Sequence, residues 1–170
     1  MAEPAHPRRI PDGWCRVSET LPDLYSARIV NGAVELVLPL PPSVLGHHGG
    51  GWQKMGYRRS TGKPYVISGN RKAFATVRDE AITALRQVSI GHGLQWPAAV
   101  MSVEWRFAGT APDSDGIWTR VSAIRDAAQH VQIVTNDRYI TQGTLTLVRV
   151  KKVDQRVVLR FARAEQQEAA

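Results

Sequence analysis

Between residues 111 and 120 the chain reads APDSDGIWTR, which sets Asp113 and Asp115 one residue apart in a protein of net charge +7. In extended backbone, positions i and i+2 project to the same side, so both carboxylates share one face. Two like charges that close repel, and the arrangement becomes favourable when a divalent cation neutralises them. Magnesium suits the task, because it takes oxygen ligands from one or two carboxylates and completes its shell with water or substrate phosphate. A third carboxylate, Asp137, follows the next helical stretch and joins the pair if the chain folds back. The plainer reading is a helix start. An aspartate there accepts N–H groups of the first turn, and its charge suits the helix dipole.

The opposite charge collects elsewhere. From Leu36 to Arg78 there is no Asp or Glu, yet Lys54, Arg58, Arg59, Lys63, Arg71, Lys72 and Arg78 all fall there, with Trp52, Tyr57 and Tyr65 interleaved. Such cations neutralise backbone phosphates and such aromatics stack on unpaired bases, although a solvated surface loop has the same composition. Over the whole chain, 22 Lys and Arg against 15 Asp and Glu favour a polyanionic partner. A cationic region that draws phosphate, combined with acids that repel it unless metallated, is the charge pattern of metal-dependent phosphodiester cleavage.

Other chemistries find little support. The adjacent His47 and His48 lack further ligands at metal spacing and read as loop residues, and His92 and His130 read as turn or surface histidines. The single Cys15 reads as a packing residue and forms no internal disulfide. The sequence has no phosphate-binding Gly-x-x-x-x-Gly-Lys loop, serine nucleophile elbow or dinucleotide fingerprint. No run reaches the ~18–20 apolar residues of a membrane span, and the start lacks the apolar core of a secretory signal, so a cytoplasmic protein without membrane association is expected.

The elements that must position these residues follow from periodicity. With 170 residues, 43% hydrophobic and 22% charged, one globular domain is expected. Residues 1–30 are assigned to an irregular extension, with Trp14, Leu21, Leu24 and Tyr25 as anchors, 31–162 to the folded body and 163–170 to a polar tail. The segment ARIVNGAVELVLPLPPS reads as two β runs about Asn31-Gly32, stopped by Pro39, Pro41 and Pro42. Residues 44–65 show neither helical nor strand period and read as a loop. Phe74, Val77, Ala81, Leu85 and Val88 recur at helical spacing behind a cap at Ser68 or Asn70, and Gly91 and Gly93 end that helix. Met101, Val103, Trp105 and Phe107 alternate with Ser102, Glu104 and Arg106, as in a half-buried strand. Ile117, Val121, Ile124 and Ala128 form one helical stripe, and GTLTLVRV and RVVLRF read as a closing hairpin. Trp105 and Trp118 read as core or dimer-contact aromatics, and Asp126, off the apolar stripe, as structural. The expected class is α+β, a small single domain with two main helices against a mixed or mostly antiparallel sheet.

From Glu35 to Phe161 the sequence resembles the RusA-like Holliday junction resolvases, which often occur in phages and prophages. The resemblance rests on LPLPPS, the basic region before the first helix, and above all DSDGIWTRVSAIRDAAQHVQIVTND. The family pattern there is Asp-x-Asp-Asn, a helix containing a further Asp, and a turn into Asp-Asp. Asp113 and Asp115 match the first pair, Asp126 the helical Asp and Asp137 the last. Gly116 stands in place of Asn and Asn136 in place of Asp. The helix carries Arg120 but no counterpart of the family's catalytic Lys. The resemblance implies a RusA-like fold and a homodimer that binds branched DNA and resolves four-way junctions. It implies Asp113, Asp115 and Asp137 as magnesium-holding catalytic acids; Arg120 is the candidate catalytic cation beside them, placed to contact a phosphate or a developing negative charge, and no small-molecule cofactor is expected. Lys54, Arg58, Arg59, Lys63, Arg71 and Lys72 would then contact DNA phosphates, with Trp52 or Tyr57 stacking on bases. A noncatalytic nucleic-acid-binding protein of the same fold is the alternative.

Overall fold

The structure is a computed structural model and describes residues 23–45, 54–57, 60–61, 64–67, 69–90 and 92–164. The chain opens with a hairpin of β1 (Ser26–Val30) and β2 (Ala33–Leu38), antiparallel in register from Val30↔Ala33 to Ser26↔Val37. Asn31 and Gly32 have φ of 50° and 75°, the left-handed pair that lets a two-residue turn match the twist of its strands. β2 stops at Leu38, directly before the prolines that cannot donate to a ladder. Because β1 pairs along its whole length, residues 26–30 belong to the sheet, and the folded body begins before residue 31.

Two short strands, β3 (Lys54–Tyr57) and β4 (Pro64–Ile67), form a separate antiparallel pair. This corrects the expectation of an irregular loop over 44–65. The runs are too short for a period to emerge, and backbone pairing defines them instead. Helix α1 (Gly69–Ser89) follows at once, so Asn70 lies inside the helix rather than capping it. Its stripe of Val77, Ala81, Leu85 and Val88 is buried, with Phe74 packed against its edge.

Strand β5 (Ala99–Phe107) alternates buried and half-buried residues along its full length, as its sequence predicts. The next stripe, Ile117, Val121, Ile124 and Ala128, is fully buried. Two helices carry it, however: α2 (Ser114–Arg120) and α3 (Ser122–His130), with Val121 between them at φ −85° and ψ 0°. Hydroxyls compete for the carbonyls at this joint. Thr119 Oγ1 donates to the Asp115 carbonyl at 2.9 Å and Ser122 Oγ to the Thr119 carbonyl at 2.7 Å. A 3-10 turn (Asp137–Tyr139) leads into β6 (Ile140–Arg149), and a second (Lys152–Asp154) into β7 (Arg156–Arg163).

The five-stranded sheet has the order β1-β2-β7-β5-β6 and is mixed, since β5 and β6 run parallel while the other neighbours are antiparallel. The fold is thus α+β. The closing hairpin expected from β6 and β7 does not form, because β5 lies between them. Its regular alternation of Met101, Val103, Trp105 and Phe107 is the longest apolar stripe in the sheet, so flanking it on both sides buries the most apolar surface. The connection passes over its end, where Val150 N–H donates to the Phe107 carbonyl at 2.8 Å. The row Leu36, Leu159, Val103 and Leu145 runs across four strands on the face that also takes the helices. The row Glu35, Arg160 and Ser102 lies on the other face. Among the described residues, no helix is long and apolar enough to cross a membrane.

Candidate functional site

Asp113 sits at the N-cap of α2 with extended backbone (φ −74°, ψ 153°), and its Oδ1 accepts the Gly116 N–H at 2.8 Å. Residue 116 is a glycine, and the geometry ties it to this cap. A Cβ built there would lie 2.2 Å from Asp113 Oδ1, and the three heavy atoms nearest to it all belong to Asp113. The carboxylate as placed stands where that Cβ would go, so a larger residue at 116 requires the Asp113 side chain to shift, and the two positions are coupled. Asp115, exposed in the first turn of α2, places a second negative charge where the helix dipole favours it.

Asn136 does the same work at the other end of the α2–α3 segment. Its Oδ1 accepts the Arg138 N–H at 3.0 Å and caps the 3-10 turn that begins with Asp137. Asp137 is half-buried, and its main chain is strapped to α3. Its N–H donates to Gln129 Oε1 at 2.9 Å, and its carbonyl accepts from Arg125 Nη2 at 3.0 Å. Arg125 Nη2 also donates to the Ile140 carbonyl at 3.1 Å, so one guanidinium fixes how the chain leaves α3 for β6. Nothing in the sequence around Arg125 or Gln129 signals this role, because the contact depends on where β6 docks.

Asp113 and Asp115 belong to the segment that leaves the Phe107 end of β5. Asp137 belongs to the segment that returns to the Ala99 end, where Ile140 pairs with Ala99. Among the described residues, no three His, Cys, Asp or Glu side chains are grouped to hold a metal ion. In the single chain, Asp113, Asp115 and Asp137 are accordingly not gathered into one such group.

Arg120, the expected cation of the site, ends α2 with its guanidinium carbon 5.7 Å from the centre of the Trp105 ring. Its Nε is buried with no hydrogen-bond partner among the described residues. Trp105 itself is a core residue, and Trp118 packs half-buried against the same core. Asp126 pairs with Arg78 of α1 at 3.6 Å, with the side chains 43% and 37% exposed, so it is a surface tie between α1 and α3 of modest energy.

Of the basic residues, Arg71 and Lys72 are exposed at the start of α1, whose first turn carries no acid. The positive end of the helix dipole adds to their charge. Lys54 and Tyr57 are the first and last residues of β3. Trp52, Arg58, Arg59 and Lys63 lie outside the described residues, as do Trp14, Cys15, His47, His48, Ser68, Gly91 and residues 165–170. Beside the α1 start, a groove of about 460 Å³ is lined by Tyr25, Leu38, Pro42, Lys72, Val77 and Glu80. Burial pushes the Glu80 carboxyl above its ordinary range.

Compared with models of known protein families and with curated proteins, the chain matches none.

Proposed function

We propose that this chain is a nucleic-acid-binding protein that recognises the sugar-phosphate backbone of DNA. The observation that carries this reading is the acid-free start of α1, where exposed Arg71 and Lys72 reinforce the helix dipole directly after the β3–β4 pair that begins with Lys54. The chain's net charge of +7 supports long-range attraction to the same partner. The binding would be driven by counterion release, and the cationic region between residues 36 and 78 supplies several phosphate contacts.

A second reading, junction cleavage with magnesium, is favoured by the exposure of Asp113 and Asp115 side by side at the α2 start and by the resemblance of residues 113–137 to the resolvase pattern. It requires Asp137 to join them, and no step through the metal follows from the placement of the three acids. The deciding experiment uses a labelled mobile four-way junction with Mg²⁺, comparing the native chain with Asp115→Asn. Binding without cutting by both proteins supports the binding reading, and cutting by the native chain alone supports the nuclease. If neither protein binds branched or duplex DNA at low salt, both readings fail. Sedimentation of the whole chain tests the homodimer that the resemblance implies.

A further inference from the structure

At the end of the sheet remote from the α1 start, a concavity of about 560 Å³ lies between the β1–β2 turn and the last residues of β7, lined by Asn31, Gly32, Arg160, Ala162 and Arg163 among others. The β2–β7 register explains how they meet. Val34 pairs with Phe161, and continuing that register brings Arg163 level with Gly32. Arg160 and Arg163 point to opposite faces of the sheet, being an odd number of residues apart, and so stand on two sides of its rim. Both are exposed. The lining between them is small, Ala33, Ala162 and Ala164, so the concavity stays open for a ligand that passes over the rim from one arginine to the other.

Neither arginine has an acidic partner among the described residues. Glu35 faces Arg160 directly across the strand pair, but Arg28 on β1 already holds it, with Nε donating to Glu35 Oε1 at 2.8 Å. Among the described residues, two arginines therefore line one concavity and neither is paired with an anion. A guanidinium presents a planar fork of donors that matches phosphate, and two of them around an open rim suit a ligand that continues past the site.

We propose that Arg160 and Arg163 form a phosphate-binding subsite that holds the backbone of DNA bound to this chain, at the opposite end of the sheet from the α1 start. The inference rests on the nucleic-acid reading above and extends the contact surface beyond the cationic region that the sequence points to. A free phosphate ester offers the same chemistry, and the test separates the two sources.

The experiment measures duplex DNA affinity between 50 and 200 mM salt for the native chain, for Arg160→Gln/Arg163→Gln and for Arg160→Lys/Arg163→Lys, with melting temperatures as the folding control. Each lost phosphate contact lowers the slope of log affinity against log salt by about 0.9, so the glutamine pair is expected to lose about two units of slope and on the order of tenfold in affinity at low salt. The lysine pair retains its charge and most of the slope. Unchanged affinity and slope in a folded glutamine pair overturn the subsite while leaving the nucleic-acid reading intact. If the native chain binds no DNA, that reading falls and the backbone assignment falls with it. Adenosine monophosphate binding that the glutamine pair abolishes, with DNA affinity unaffected, overturns the backbone assignment in favour of a free phosphate ester.

Discussion

The coupling between Asp113 and Gly116 gives a sharp test of how α2 begins. Removing the cap with Asp113→Ala strips the Gly116 N–H of its partner and is expected to cost about 1 kcal/mol, within a usual range of about 0.5–2 kcal/mol. Gly116→Ala alone has two opposed effects. Alanine improves helix propensity by at most about 1 kcal/mol. Its Cβ would also lie 2.2 Å from Asp113 Oδ1, forcing the carboxylate off the cap and losing a similar amount. The net change should be near zero. In the Asp113→Ala background the obstacle is gone, because the atoms nearest the new Cβ all belonged to the aspartate. There, Gly116→Ala should stabilise by its propensity gain alone. The double-mutant cycle is therefore expected to show a coupling of about 1 kcal/mol, or about 2–4 °C in melting temperature for a chain of this size. Urea unfolding followed by circular dichroism on the four proteins measures it. Equal effects of Gly116→Ala in both backgrounds would show that the carboxylate does not occupy the space over residue 116, and the account of why glycine stands there would be wrong.

Three further outcomes follow from other parts of the molecule. Arg120→Leu gives up a cation–π contact of about 0.5–2 kcal/mol but also removes a buried, unpaired Nε that costs about 1–3 kcal/mol, so its unfolding midpoint should be unchanged or higher; a large loss of stability would contradict the orphaned donor. Glu80 has its folded pKa raised above 4.5 by burial, so the native state binds the extra proton and stability falls as pH rises from 4.5 through the folded pKa, then levels off. Glu80→Gln should melt higher than the native protein above that window and lose its advantage below pH 4.5, and an advantage independent of pH would refute the role of the charge. Arg71→Ala/Lys72→Ala should weaken duplex binding with little dependence on base sequence and reduce the salt slope by about two, whereas an unchanged slope in filter binding would remove the α1 start from the DNA surface.

Much of the scaffold is written in local order. The Asn31-Gly32 hairpin depends on two residues that tolerate positive φ, and β5 on an alternation that one strand carries by itself. The α1 stripe needs only helical spacing, and the same holds for the apolar face shared by α2 and α3. Where reading by pattern failed, the deciding contact was distant or the run was short. The β3–β4 pair is only four residues on each side, too few to show a period. The break at Val121 depends on side-chain hydroxyls that take over helix carbonyls, a competition that an apolar stripe does not reveal.

The site divides along the same line. Residue types alone determined that this chain carries an acid-free, cationic region, an aspartate pair placed to begin a helix, and apolar periods sufficient for an α+β core, because composition, capping chemistry and periodicity act over a few neighbouring residues. Only the tertiary structure decided that β5 separates β6 from β7, that Asp113 and Asp137 lie on segments attached to opposite ends of that strand, and that Arg160 and Arg163 meet the β1–β2 turn. These are matters of strand order and register, set by which partner buries the most apolar surface across the whole sheet, and no local pattern along the chain encodes that choice.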